Sequence, residues 1–178
     1  MKKELFIHLL YSVSLVIILS VTKRWIGLEY WPFWLGAIAG TFMPDLDHFI
    51  YFYLLNPQEF TSQRIQLMIH QRQYPRVLDL LYVTRSERKQ LIFHSGYFQI
   101  IFLVLFFWIM TSSGSFFGRG IVFAFFLHLL IDQAIDFQET GNLDNWFMKL
   151  NIQLSRDRQI VYFVVNCLLF VITAFIFS

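Results

Sequence analysis

Met43-Pro44-Asp45-Leu46-Asp47-His48 is the stretch whose reading decides the fold. It interrupts an apolar run, residues 30–55, that is otherwise long enough to cross a bilayer. Two carboxylates and an imidazole at membrane depth cost several kcal/mol unless they are paired or bind a metal. Pro44 breaks the helical ladder just ahead of them, since it has no N–H and clashes with the preceding turn. Backbone groups freed at that depth must line a polar cavity or be buried in protein. The stretch therefore reads as half of a metal site whose other half lies elsewhere in the chain.

Composition agrees with a membrane setting. Of the 178 residues, 57% are hydrophobic and only 15% charged, against about 25% charged in a soluble domain. Mean hydropathy is +0.55. The length suits one domain, 1–178. A net charge of +2 gives no sign of a nucleic-acid partner. The lone Cys167 excludes a thiolate cluster, so any metal must be held by His and carboxylates. The apolar start lacks a small-residue cleavage site and reads as a retained first helix.

Outward from the central stretch, the pattern predicts an all-α, polytopic membrane bundle of about five spans: 5–21, 31–55, 91–110, 116–135 and 159–177. Gly36, Ala37, Ala39 and Gly40 allow close helix approach in the second. Residues 58–90 mix basic and apolar side chains and predict amphipathic helices on the membrane surface, interrupted near Pro75; 138–158 is a second polar segment. With the N-terminus in the cytoplasm, eleven Lys and Arg fall inside and only Lys23, Arg24 and Arg119 outside, as the positive-inside rule requires. An inner (plasma) membrane location follows.

That topology was set by Lys and Arg alone, yet it brings the other ionisable residues to one depth. His8, Asp45, Asp47, His48, His94, His128 and Asp132 all fall in the cytoplasmic leaflet. His128 and Asp132 are four apart and share a helix face, with Asp136 one turn on; Asp45 and His48 are three apart. Asp47 points elsewhere on a regular helix unless the Pro44 kink turns it inward. An N/O ligand set of this kind suits a divalent metal, Zn first, with Mn or Fe as alternatives. The chemistry that follows is water activation, with Asp47 or His94 as proton carrier. The bland reading of a lone intramembrane His, such as His8, is a helix-to-helix hydrogen bond. His70 reads as a surface residue of the basic loop, and the Trp and Tyr residues as belt and packing.

Phe6-Ile7-His8-Leu9-Leu10, Met43-Pro44-Asp45-Leu46-Asp47-His48, Phe93-His94-Ser95 and Leu127-His128-Leu129-Leu130-Ile131-Asp132 occur in an order that resembles one family. This is the predicted membrane-bound metal-dependent hydrolases, the LexA-regulated, YdjM-like inner-membrane proteins. The resemblance spans roughly residues 5–137. It implies that His8, Asp45, Asp47, His48, His94, His128 and Asp132 are the metal-site positions. Where the family shows His-Arg-Gly-x-Thr-His-Ser, this chain reads Lys89-Gln90-Leu91-Ile92-Phe93-His94-Ser95. Lys89 repels a cation, so one ion is expected rather than two.

Two functions are expected from these residues. The first is a hydrolase opening to the inner leaflet, acting on a lipid or lipid-linked phosphate or ester, with the basic surface of 58–90 attracting anionic head groups. The second is a non-catalytic assembly subunit that keeps the ion for structure and docks a protein partner or a second copy. An ion-coupled transporter ranks below both, because five spans without a repeat is a poor transporter pattern.

Overall fold

The structure is a computed structural model that describes residues 2–84, 91–148 and 152–177, without the side chains of residues 2–6, His8 and Tyr82. The expected ligand His8 thus lies outside the described side chains, and Lys89 outside the described residues. Among the described residues every regular element is a helix: α1 (Lys2–Thr22), α2 (Trp31–Phe42), α3 (Leu46–Ile50), α4 (Phe60–His70), α5 (Tyr74–Val83), α6 (Gly96–Ser112), α7 (Phe116–Thr140), α8 (Asp144–Phe147) and α9 (Arg156–Val171). A π-helical turn, Tyr51–Leu55, continues α3, and another, Ile172–Phe177, continues α9.

Local chemistry sets the boundaries. Arg24 (φ 58°) and Arg72 (φ 56°) adopt the left-handed conformation just past α1 and α4. At each, the next N–H reaches back five residues, Trp25 to Ser20 and Gln73 to Met68, which closes the last turn. The break in the amphipathic segment is therefore at 71–73. Pro75 sits in the first turn of α5, where its missing N–H costs nothing. Gly141 (φ 76°) ends α7 in the same left-handed way.

α7 is the central helix. From Val122 to Gln133 every side chain is buried, as expected for a helix enclosed on all sides. α1, α2, α6 and α9 pack around it. A ladder of Phe rings fills the interior, with Phe106–Phe126 centroids 5.3 Å apart and Phe123–Phe170 5.1 Å. α2 approaches α7 backbone to backbone. A Cβ added at Gly36, Gly40 or Gly120 would lie 2.1–2.3 Å from a carbonyl oxygen of the facing helix. The small residues of α2 thus do what their spacing suggested.

A second, smaller core lies beside the bundle. The α4–α5 hairpin folds over the π turn and buries Tyr51, Phe52, Ile65 and Val77. Gln66 Nε2 donates to the Phe52 carbonyl (2.6 Å), supplying a partner where the π turn distorts the ladder.

Among the described residues, two helices are long and apolar enough to cross a membrane: Phe116–Thr140 and Arg156–Phe177. The first is 72% buried over its apolar window, so a core position accounts for its apolarity; the second is only 22% buried. Leu9–Thr22, Leu46–Leu55 and Gly96–Ser112 are shorter apolar helices. Large apolar side chains nonetheless face outward along α6 and α9, among them Ile101 (65%), Val104 (68%) and Val161 (61%).

Candidate metal centre

The site forms where α2 ends, α6 begins and α7 passes between them. α2 stops before Pro44, and the chain tightens through 45–48. Four successive N–H groups, of Asp45, Leu46, Asp47 and His48, each donate to the carbonyl three residues back at 3.0–3.2 Å. At three residues per turn, positions i and i+3 eclipse, so Asp45 and His48 stack on one face. The same winding turns Asp47 inward, where it is fully buried.

His94, His128 and Asp132 form a group of ligand atoms all within 4.8 Å of one another. Asp132 Oδ2 lies 2.8 Å from His94 Nε2 and 3.3 Å from His128 Nε2. Asp45 Oδ1 stands at the edge of this group, 3.6 Å from His128 Nε2. Donors bound tetrahedrally at about 2.0–2.1 Å stand roughly 3.3 Å apart, so these spacings fit a divalent ion. His94, His128 and Asp132 can therefore hold a metal ion.

Each imidazole is oriented from behind. His128 Nδ1 lies 2.8 Å from the Thr41 carbonyl. A carbonyl only accepts, so Nδ1 donates to it and Nε2 is turned toward the cluster. Thr41 is placed for this by the close α2–α7 crossing at Gly36 and Gly40. His94 Nδ1 lies 3.3 Å from Asp47 Oδ2, which again leaves Nε2 inward. Metal-binding histidines are held this way by carbonyls and carboxylates. Metal ligation requires neutral imidazoles, and with the rings in that form the carboxylates of Asp45, Asp47 and Asp132 would supply a surplus of negative charge for a divalent cation to balance.

The expected residues thus divide. His94, His128 and Asp132 come together, with Asp45 at the rim, its side chain 44% exposed against 3–8% for those three. His48 stacks on the outer side of the His94 ring, with centroids 5.5 Å apart and planes 17° from parallel. Asp47 reaches the cluster only through His94. Both its oxygens accept from backbone N–H groups: Oδ1 from Ile92 (2.9 Å), Oδ2 from Phe93 (2.6 Å) and His94 (3.2 Å).

The backbone participants carry no sequence signal of their own. The Thr41 carbonyl is backbone, as are the amides of 92–94. Trp146 of α8 packs edge-on to His94, with centroids 5.9 Å apart, and donates Nε1–H to Asp136 Oδ2 at 2.7 Å. Asp136, one turn beyond Asp132, thus ties the α8 segment over the site. Behind it, Gln99 and Gln133 exchange reciprocal amide hydrogen bonds between α6 and α7 (3.2 and 2.7 Å), and the Tyr162 hydroxyl donates to Gln99 Oε1 (2.5 Å).

No family model, curated protein or solved structure matches this chain.

Proposed function

We propose that this chain is an integral-membrane, metal-dependent hydrolase acting at the cytoplasmic leaflet on a lipid or lipid-linked phosphate or ester. One observation carries the reading: the inward Nε2 atoms of His94 and His128 and the carboxylate of Asp132 converge beside a partly open carboxylate, Asp45. His94, His128 and Asp132 would hold the ion, with Zn the best fit to an N/O set and Mn or Fe sharing it. A bound divalent ion polarises a scissile phosphoryl or carbonyl group and lowers the pKa of a coordinated water to about 7.

The chain's own residues supply the rest. Asp45 is the group placed to take a proton, because it borders the donor ring and remains open to solvent. Asp47 and His94, expected in that role from sequence, are engaged elsewhere: Asp47 on backbone amides, and His94 between Asp47 and Asp132. Met43, Leu46 and Phe49 are 37%, 50% and 50% exposed beside the rim, an apolar border suited to an acyl chain. In the five-span arrangement α1, α2 with α3, α6, α7 and α9 cross the membrane. Arg64, Arg72 and Arg76 of the α4–α5 region then face the anionic inner leaflet, with Phe60 (79% exposed) and Leu67 (57%) available to dip into it.

The test is turnover of a panel of lipid phosphates and esters in mixed micelles with added zinc, for the parent chain and Asp45→Asn. Metal-dependent hydrolysis reduced about 100-fold or more by Asp45→Asn is expected. A metal-loaded protein with no turnover on any of them would make the chain the non-catalytic subunit instead.

A further inference from the structure

We infer that Asp47 is a positioning residue, not a metal ligand: it clamps the backbone entering α6 and fixes the ring of His94, so that the ion binds without touching Asp47. The inference rests on the metal reading above and departs from the ligand set that the sequence suggested. Asp47 is fully buried, yet it needs no cation to be tolerated. Three backbone N–H groups and the His94 ring share its two oxygens. Charge-assisted bonds from backbone amides stabilise a buried carboxylate strongly, and their geometry decides where the following residues go.

The three amides belong to the residues just before α6, which do not form a helical turn of their own. A short non-helical run has no internal ladder to fix it, so an external acceptor must. Asp47 supplies that acceptor from α3, 45 to 47 positions away in sequence. The same Oδ2 that holds the Phe93 and His94 amides faces His94 Nδ1. One carboxylate therefore sets both the position of the His94 backbone and the direction of its ring. Ser95 reinforces the bend, its Oγ–H donating to the Ile92 carbonyl at 2.5 Å. Thr41 does for His128 what Asp47 does for His94, so each histidine has one orienting partner and one atom left for the ion. Moving Asp47 into the coordination shell would strip acceptors from the part-buried amides of 92–94, at up to about 1–3 kcal/mol for each one orphaned.

The experiment uses the full chain in detergent micelles, loaded with zinc or cobalt, comparing Asp47→Asn with Asp132→Asn. Asp47→Asn is expected to keep one ion at saturation and an unchanged cobalt absorption spectrum, with affinity lowered about 10–100-fold. Asp132→Asn is expected to change the spectrum. A cobalt spectrum altered by Asp47→Asn as by Asp132→Asn, or an affinity that Asp47→Asn leaves unchanged, overturns the inference. X-ray absorption and a density map of the zinc-loaded parent chain decide the matter even if the variant fails to fold. Asp47 oxygens outside the coordination shell support the clamp, and an Asp47 oxygen at about 2.0–2.2 Å from zinc refutes it. A parent chain that binds no ion fails the metal reading itself. The clamp then stands or falls on faster hydrogen exchange of the 92–94 amides in Asp47→Asn than in Asp132→Asn.

Discussion

Gly120→Ala tests whether the close α2–α7 crossing builds the site. The added Cβ would sit 2.1 Å from the Phe33 carbonyl oxygen, 2.8 Å from the Ala37 nitrogen and 3.0 Å from the Phe33 carbonyl carbon. All three are backbone atoms of α2, so no rotamer change relieves the clash. Restoring ordinary contact requires the helices to part by roughly 1.3 Å, in a core otherwise packed at crystal density. Overpacking costs about 1–3 kcal/mol, and rigid backbone on both sides places this case at the upper end. The same movement stretches the 2.8 Å bond from His128 to the Thr41 carbonyl beyond hydrogen-bond reach, adding about 1 kcal/mol. At ~2–4 °C per kcal/mol for a chain of this size, the unfolding midpoint should fall by about 10 °C. Zinc affinity should fall about 10–100-fold as His128 loses its orienting partner. Tryptophan fluorescence on heating in mild detergent and competition with a chelator read the two effects. Gly114→Ala is the control, because its Cβ meets nothing within 4 Å. If the two variants match each other and the parent, the crossing does not position His128 and the reasoning fails.

Three further outcomes follow from the packing. Tyr162→Phe removes the hydroxyl that donates to Gln99 and to the Gly96 carbonyl; stability should drop by about 1–2 kcal/mol while ion stoichiometry, measured by mass spectrometry, stays unchanged. Trp146→Phe deletes the 2.7 Å bond to Asp136, so amides of 141–147 should exchange faster with deuterium, and equal rates would dismiss Asp136 as the tie that holds α8. Ile65→Ala opens a fully buried position of the smaller core at about 2–5 kcal/mol. Proteolysis at 71–73 should then increase with the main unfolding midpoint little moved, whereas a matching loss in both would show that the two cores unfold together.

The sequence displayed the elements better than their contacts. Apolar runs, Pro44, and the small residues of α2 were enough to place the helices, because each acts through a few neighbouring residues. The i, i+4 spacing of His128 and Asp132 put two of the three converging donors on one face. The alignment of His94 with them depended on the charge-based topology, a property of whole segments. Asp47 was harder, since its acidity suggested a ligand, while three of its four partners are backbone amides that any sequence would offer. The Thr41 carbonyl left no mark for the same reason. The interruption expected near Pro75 falls at 71–73, where an arginine occupies the left-handed position that usually announces itself as glycine. Trp146 read as belt or packing, and it does pack, 1% exposed; only the fold back from Gly141 brings it onto His94.

The most direct measurement is the metal content of the detergent-purified chain by mass spectrometry, set beside His94→Ala, His128→Ala and Asp132→Asn. One divalent ion per chain in the parent, and its loss in each of the three, is the predicted result. A metal-free parent that stays empty after incubation with zinc, manganese and iron would contradict the account at its centre.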